Sequence, residues 1–156
     1  MAVNLCLEEH EEEILIEYRQ FTLVKIVDVD PQIQAEGGRS SWIECKDERL
    51  YFKSAAPDHY AAVRLQHWNG EPPVNRDFRW EEFDEFRIMS ANDTLSIWTV
   101  TMGPGGLQIA LEPGWYHMRA LSTGRKAISR KMRDHDLTQG FPRSVERYLL
   151  QIWAAE

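Results

Sequence analysis

The run Trp80-Glu-Glu-Phe-Asp-Glu-Phe86 packs Glu81, Glu82, Asp84 and Glu85 into five positions, with Trp80 and Phe83 among them. Carboxylates at such density have three chemical uses. They catalyse glycoside hydrolysis when two face each other across a cleft and one is held protonated. They bind protein when they rim aromatic anchors and steer a cationic partner onto them. Otherwise they keep a polar face in water, which is the plainest reading of consecutive acids. The protein-binding reading makes Trp80, Glu81, Glu82, Phe83, Asp84 and Glu85 the candidate site, and catalysis ranks last.

Other reactive residue types do not assemble in the sequence. His10, His59, His67, His117 and His135 share no i, i+2 or i, i+4 spacing and lie near no cysteine pair, so no zinc set is expected. Ser40, Ser41 and Ser90 lack the elbow or the adjacent base that activates a nucleophile. Gly103-Pro-Gly-Gly106 has neither the lysine nor the following helix of a phosphate loop, and it reads as a hairpin connection. The segment Arg125-Lys-Ala-Ile-Ser-Arg-Lys-Met-Arg133 is suited to phosphate or to the chain's own acids, with a solvated face as the simpler role. Six tryptophans invite stacking on a sugar, with Trp68, Trp115 and Tyr116 as a platform, although most must serve the core. No catalytic residue, metal or cofactor is expected.

The elements that would carry these residues follow from size and pattern. A chain of 156 residues suits one domain over 1–156, and 43% hydrophobic content provides its core. The net charge of −7 is segregated. Residues 1–13 hold five Glu and no Lys or Arg, residues 71–86 hold six acids against two Arg, and residues 113–147 hold eight Lys/Arg against three acids. An acidic chain repels phosphate, so a basic protein partner is expected and direct nucleic-acid binding is not. Cys6 and Cys45 make no disulfide framework, and the start lacks both a basic leader and a long apolar run. A cytoplasmic protein with no membrane contact is therefore expected.

Period-two alternation dominates the chain. Residues 14–18 and 21–28 read as strands with a bulge near Arg19 and Gln20, leaving the acidic residues 1–13 as a candidate disordered N-terminus. Residues 42–45 and 50–53 form a hairpin around Lys46-Asp-Glu48. Ala61, Val63 and Leu65 share a face. Residues 78–89 read as an irregular entry with a strand from about Glu85. Leu95 to Val100 follows a turn, and Leu107, Ile109 and Leu111 alternate cleanly. Pro113-Gly114 opens a strand with Tyr116, Met118 and Ala120 inward and His117 and Arg119 outward. A polar insertion over 122–143 has one or two helical turns in 127–132. The closing strand turns Tyr148, Leu150 and Ile152 inward and Arg147 and Gln151 outward. Eight or nine short strands with at most one or two short helices predict an all-β, single-domain antiparallel β-sandwich.

The segments Trp80-Glu81, Leu95 to Val100, Pro113-Gly-Trp-Tyr-His-Met-Arg119 and Tyr148-Leu-Leu-Gln-Ile-Trp153 resemble a bacterial family of small β-sandwich proteins that includes the competence-associated nuclease inhibitor. The resemblance covers residues 78–153. It implies a non-enzymatic protein of the immunity or inhibitor class that neutralises a basic toxin or nuclease. A carbohydrate- or ligand-binding sandwich and a structural assembly subunit are the alternatives.

Overall fold

Apolar side chains at every second position need a second layer to cover them, and the chain supplies one by building two sheets. The computed structural model describes residues 3–24, 26–29, 42–91, 94–134, 138 and 140–155, with residues 27–29 described by backbone alone. These form β1 (Cys6–Ile16), β2 (Gln20–Val24), β3 (Ile26–Val29), β4 (Ile43–Lys46), β5 (Arg49–Lys53) and β6 (His59–Trp68). They continue through β7 (Glu82–Ser90), β8 (Thr94–Thr99), β9 (Gly103–Ala110), β10 (Gly114–Thr123), helix α1 (Arg125–Arg133) and β11 (Arg143–Ala154). Ser40, Ser41 and His135 fall outside the described residues.

One sheet has the order β1-β6-β11-β10-β7-β3 and the other β4-β5-β2-β8-β9. Every pairing is antiparallel except β6 with β11. A single buried cluster joins the layers: Val63, Leu65, Met118, Ala120, Leu150 and Ile152 from the first meet Phe21, Leu23, Leu50, Phe52, Leu95 and Ile97 from the second. Phe21 stacks on Phe52 at 5.0 Å and meets Tyr148 edge-on at 4.8 Å. The all-β sandwich, the hairpin over 42–53 and the inward sets on β6, β10 and β11 are as the alternation predicts.

Several boundaries differ from that reading. The acidic run is itself strand, because β6 offers a ten-residue edge, and Arg64 on β6 with Arg143 on β11 holds the glutamates. Glu11 pairs with Arg64 at 2.9 Å and Glu13 with Arg143 at 3.2 Å. The expected bulge at Arg19 is a tight turn with Tyr18 (φ 55°) and Arg19 (φ 59°) left-handed, which passes the chain from one sheet to the other. Strand β7 begins at Glu82, three residues earlier than expected, because its partner β10 extends to Ser122. The glycine-rich stretch belongs to β9, and residues 100–102 make the connection. The polar insertion gives its first two residues to β10 and its last to β11, and the helix within it spans nine residues.

Arg119 and Gln151 do point away from the core, yet both are buried. The segment over 69–81 crosses that outer face: the Pro72 carbonyl accepts from Arg119 Nη1 at 2.9 Å, and Glu71 pairs with Nη2 at 3.2 Å. Gln151 donates to Gln66 at 3.0 Å, and the Trp68 indole donates to the same Gln66 oxygen at 2.7 Å.

Candidate protein-binding surface

Strand alternation divides the acidic-aromatic segment between two faces. Glu82 and Asp84 share the inner parity of Phe86 and Ile88, whereas Phe83 and Glu85 look outward. Asp84 accepts a hydrogen bond from the Trp42 indole at 2.6 Å, which satisfies the only polar atom of a fully buried tryptophan side chain. Glu85 holds Arg119 Nε at 2.7 Å.

Glu81 has a structural task that its position in sequence does not suggest. Its two carboxylate oxygens accept from the backbone N–H of Arg125 at 3.0 Å and of Lys126 at 3.2 Å. Helix α1 begins after Gly124, which has no side chain to cap it, so a carboxylate from the residue preceding β7 closes the first turn and complements the helix dipole. Trp80 is half-buried, donates to the Asn75 carbonyl at 3.2 Å and meets Phe78 edge-on at 5.6 Å. Of the six candidates, Phe83, 56% exposed, is the aromatic most open to a partner. Glu82 lies half-buried beside it.

The second acidic surface is β1. Residues 3–18 contain six Glu and no Lys or Arg. Its outward glutamates meet the cations of the same sheet: Glu9 and Glu11 flank Arg64, and the hydrogen bond that Arg64 donates to Glu11 raises that guanidinium's pKa. A hydrogen bond from Ser144, with Arg143 beside it, holds Glu13 below the ordinary carboxylate range.

A buried polar cluster that the sequence reading did not anticipate ties the helix to the core. Glu146, fully buried, accepts from the Ser54 hydroxyl at 2.7 Å, the Ala55 N–H at 2.8 Å, the Tyr148 hydroxyl at 2.8 Å and Arg125 Nη1 at 3.5 Å. Arg125 thus turns away from the basic helix face: it also donates to the Lys53 carbonyl at 3.0 Å and lies over Trp42 at 5.7 Å. Burial, reinforced by Glu146, pushes the Tyr148 phenol well above its usual range. The signal was legible, since Glu146 shares the parity of Tyr148, Leu150 and Ile152 and so had to face inward.

Ser54, His59 and Glu146 are not arranged as a nucleophilic relay. Such a relay needs the imidazole between hydroxyl and carboxylate. Here the Ser54 hydroxyl is in the middle, 2.8 Å from His59 Nε2 while donating to Glu146, so the hydroxyl is consumed as a bridge. Burial pushes the His59 imidazole below its ordinary value, which keeps it neutral at pH 7.

The other described histidines are separately engaged. His10 lies 3.7 Å from Glu8, His67 meets Tyr116 edge-on, and His117 stacks on Trp153. The expected platform of Trp68, Trp115 and Tyr116 does not form. Trp115 and Tyr116 are consecutive on β10 and face opposite ways, and the Tyr116 ring is buried with its hydroxyl on the Glu112 carbonyl at 2.6 Å. Among the described residues, no helix is long and apolar enough to cross a membrane.

No protein-family model and no curated protein sequence matches the chain. Two solved structures share its fold. It superposes on ComJ from Bacillus subtilis, described as an inhibitor of the DNA degrading activity of NucA, with a TM-score of 0.59 and 14% identity over 99% of this chain and 100% of that one. It superposes on the product of crocagin biosynthetic gene J with a TM-score of 0.57 and 11% identity over 96% of this chain and all of the other. At these identities the likeness is one of fold. It reaches beyond residues 78–153 to include the acidic first strand and the helix.

Proposed function

We propose that this chain is a non-enzymatic, cytoplasmic protein of the inhibitor or immunity class that binds a basic toxin or nuclease. The observation that carries the proposal is the ComJ fold over 99% of the chain. A second user of the fold is a biosynthetic gene product, so charge has to discriminate between roles. The chain carries −7, and its acids gather on β1 and on the segment over 71–86. A nuclease must hold phosphates and is cationic where it does so. An acidic protein can occupy that groove and is steered there by long-range attraction. Direct binding of nucleic acid or of anionic membrane is disfavoured by the same charge.

Within this reading the contact segment is Trp80 to Glu85, with Phe83 as the exposed anchor and Glu82 and Glu85 at its rim. Glu81 and Asp84 hold the surface in shape through α1 and Trp42. The test is depletion. Immobilised protein should remove DNA-degrading activity from a lysate of the source cells, and the retained protein should be basic and inhibited by the free chain. A lysate whose nuclease activity passes through undiminished refutes the inhibitor reading.

A further inference from the structure

Among the described residues the two sheets end on one side in the edge strands β1 and β9, and between them opens a cavity of about 300 Å3. Its apolar lining includes Ile14, Ile97, Leu107 and Met102, and its acidic rim is Glu12 and Glu13. The cavity has an identifiable origin. On β9 the cavity is lined by Gly103, Gly105 and Leu107, so the two positions nearest the opening have no side chain to fill it. A Cβ built on Gly105 would meet nothing nearer than the Ile97 carbonyl oxygen at 4.0 Å, and Gly105 is not among the left-handed glycines. The sequence therefore leaves a hole where a larger residue would fit.

The lip is held in place. The Thr101 hydroxyl donates to Glu17, and its N–H reaches the same carboxylate at 3.4 Å, while Met102 stands 72% exposed beside it. Glu12 reaches across the opening, since its Oε2 would lie 3.0 Å from a Cβ on Gly106. Among the described residues Glu12 has no ion-pair partner, unlike Glu9, Glu11 and Glu13.

We propose that this opening is a socket for one apolar side chain of a basic partner protein, carried beside a Lys or Arg that pairs with Glu12 at the rim. The class of partner rests on the inhibitor reading above. A cavity of roughly 150 Å3 lined by aliphatic groups already holds a benzene ring, so a leucine or phenylalanine side chain fits here. A second copy of this chain is disfavoured as occupant, because edge-to-edge pairing would set the five Glu of one β1 against five more.

The experiment uses the full chain, 13C-labelled at Ile, Leu and Met methyls, titrated with capped lysine–leucine–lysine and glutamate–leucine–glutamate peptides. The cationic peptide should shift the signals of Ile14, Ile97, Leu107 and Met102, and the effect should weaken as salt rises. Gly105→Leu should fill the socket and weaken binding at least about tenfold, the worth of one buried aliphatic side chain. Glu12→Gln should weaken it about two- to fivefold. Equal response to both peptides, shifts confined to other regions, or undiminished binding by Gly105→Leu would overturn the proposal. Should Gly105→Leu not fold, Glu12→Lys decides, since it must abolish preference for the cationic peptide. Peptide binding without nuclease depletion sinks only the inhibitor reading. Depletion that survives in Gly105→Leu, with no peptide binding, sinks only the socket.

Discussion

Replacing Glu146 should destabilise the protein more than any surface substitution, and the size of the loss follows from its partners. Four donors converge on a carboxylate with no solvent access: Ser54 and Tyr148 on one oxygen, Ala55 and Arg125 on the other. In Glu146→Ala all four lose their acceptor, and Arg125, whose side chain is 16% exposed, loses its counter-charge. Breaking one side of a buried pair costs about 3–5 kcal/mol. Glu146→Gln is milder. The Ser54 hydroxyl can accept from the new amide and donate to His59 Nε2, 2.8 Å away, once that imidazole moves its proton to Nδ1, so the loss is mainly of charge assistance, about 2–3 kcal/mol. For a 156-residue chain each kcal/mol moves Tm by about 2–4 °C, which puts the Gln variant about 4–12 °C below wild type. Urea unfolding followed by tryptophan fluorescence measures the difference. Arg125→Met should lose much of the same energy, and the double variant should fall short of additivity by at least about 1 kcal/mol. A Glu146→Ala protein within about 1 kcal/mol of wild type, or strict additivity with Arg125→Met, would refute the claim that this cluster pins α1 to the core.

Stability should fall as pH drops from 7 to 5. Burial lowers the His59 pKa from its ordinary 6.5, so below 6.5 the unfolded chain binds a proton that the folded chain resists. The stabilisation is present above 6.5 and disappears toward the lower folded value. Burial acts on His67 with the same sign. His59→Gln should flatten most of the dependence of the urea midpoint in this window. Gly124→Ala should cost about 2–4 kcal/mol by the same assay, because φ there is +75° and the added Cβ would stand 1.9 Å from the Val145 carbonyl oxygen. Phe83→Ala should leave the unfolding free energy within about 0.5 kcal/mol of wild type while weakening nuclease depletion at least about tenfold, as expected of an exposed anchor at an interface.

The sandwich was legible because it rests on alternation, which one strand reveals alone: the inward sets of β6, β10 and β11 are plain in Ala61-x-Val63, Tyr116-x-Met118 and Tyr148-x-Leu150. What was illegible depended on partners distant in sequence. Nothing in residues 8–13 announces that Arg64 and Arg143 will neutralise enough glutamates for a strand to form there. Glu81 looks like one acid among four until α1, which starts 44 positions later, needs a cap. The same holds for Arg119, outward by parity but covered by the segment that carries Pro72. Composition identified the acidic-aromatic segment as a surface. Pairing then divided it between the exposed Phe83 and internal braces.

The placement of β11 has a consequence for biosynthesis. Residues 143–154 form an inner strand of the larger sheet, parallel to β6 on one flank and antiparallel to β10 on the other. While the ribosome still holds that stretch, β6 and β10 each present a bare ladder of amide and carbonyl groups with a gap of one strand between them. The nascent molecule is thus most vulnerable to clumping just before translation of this segment ends.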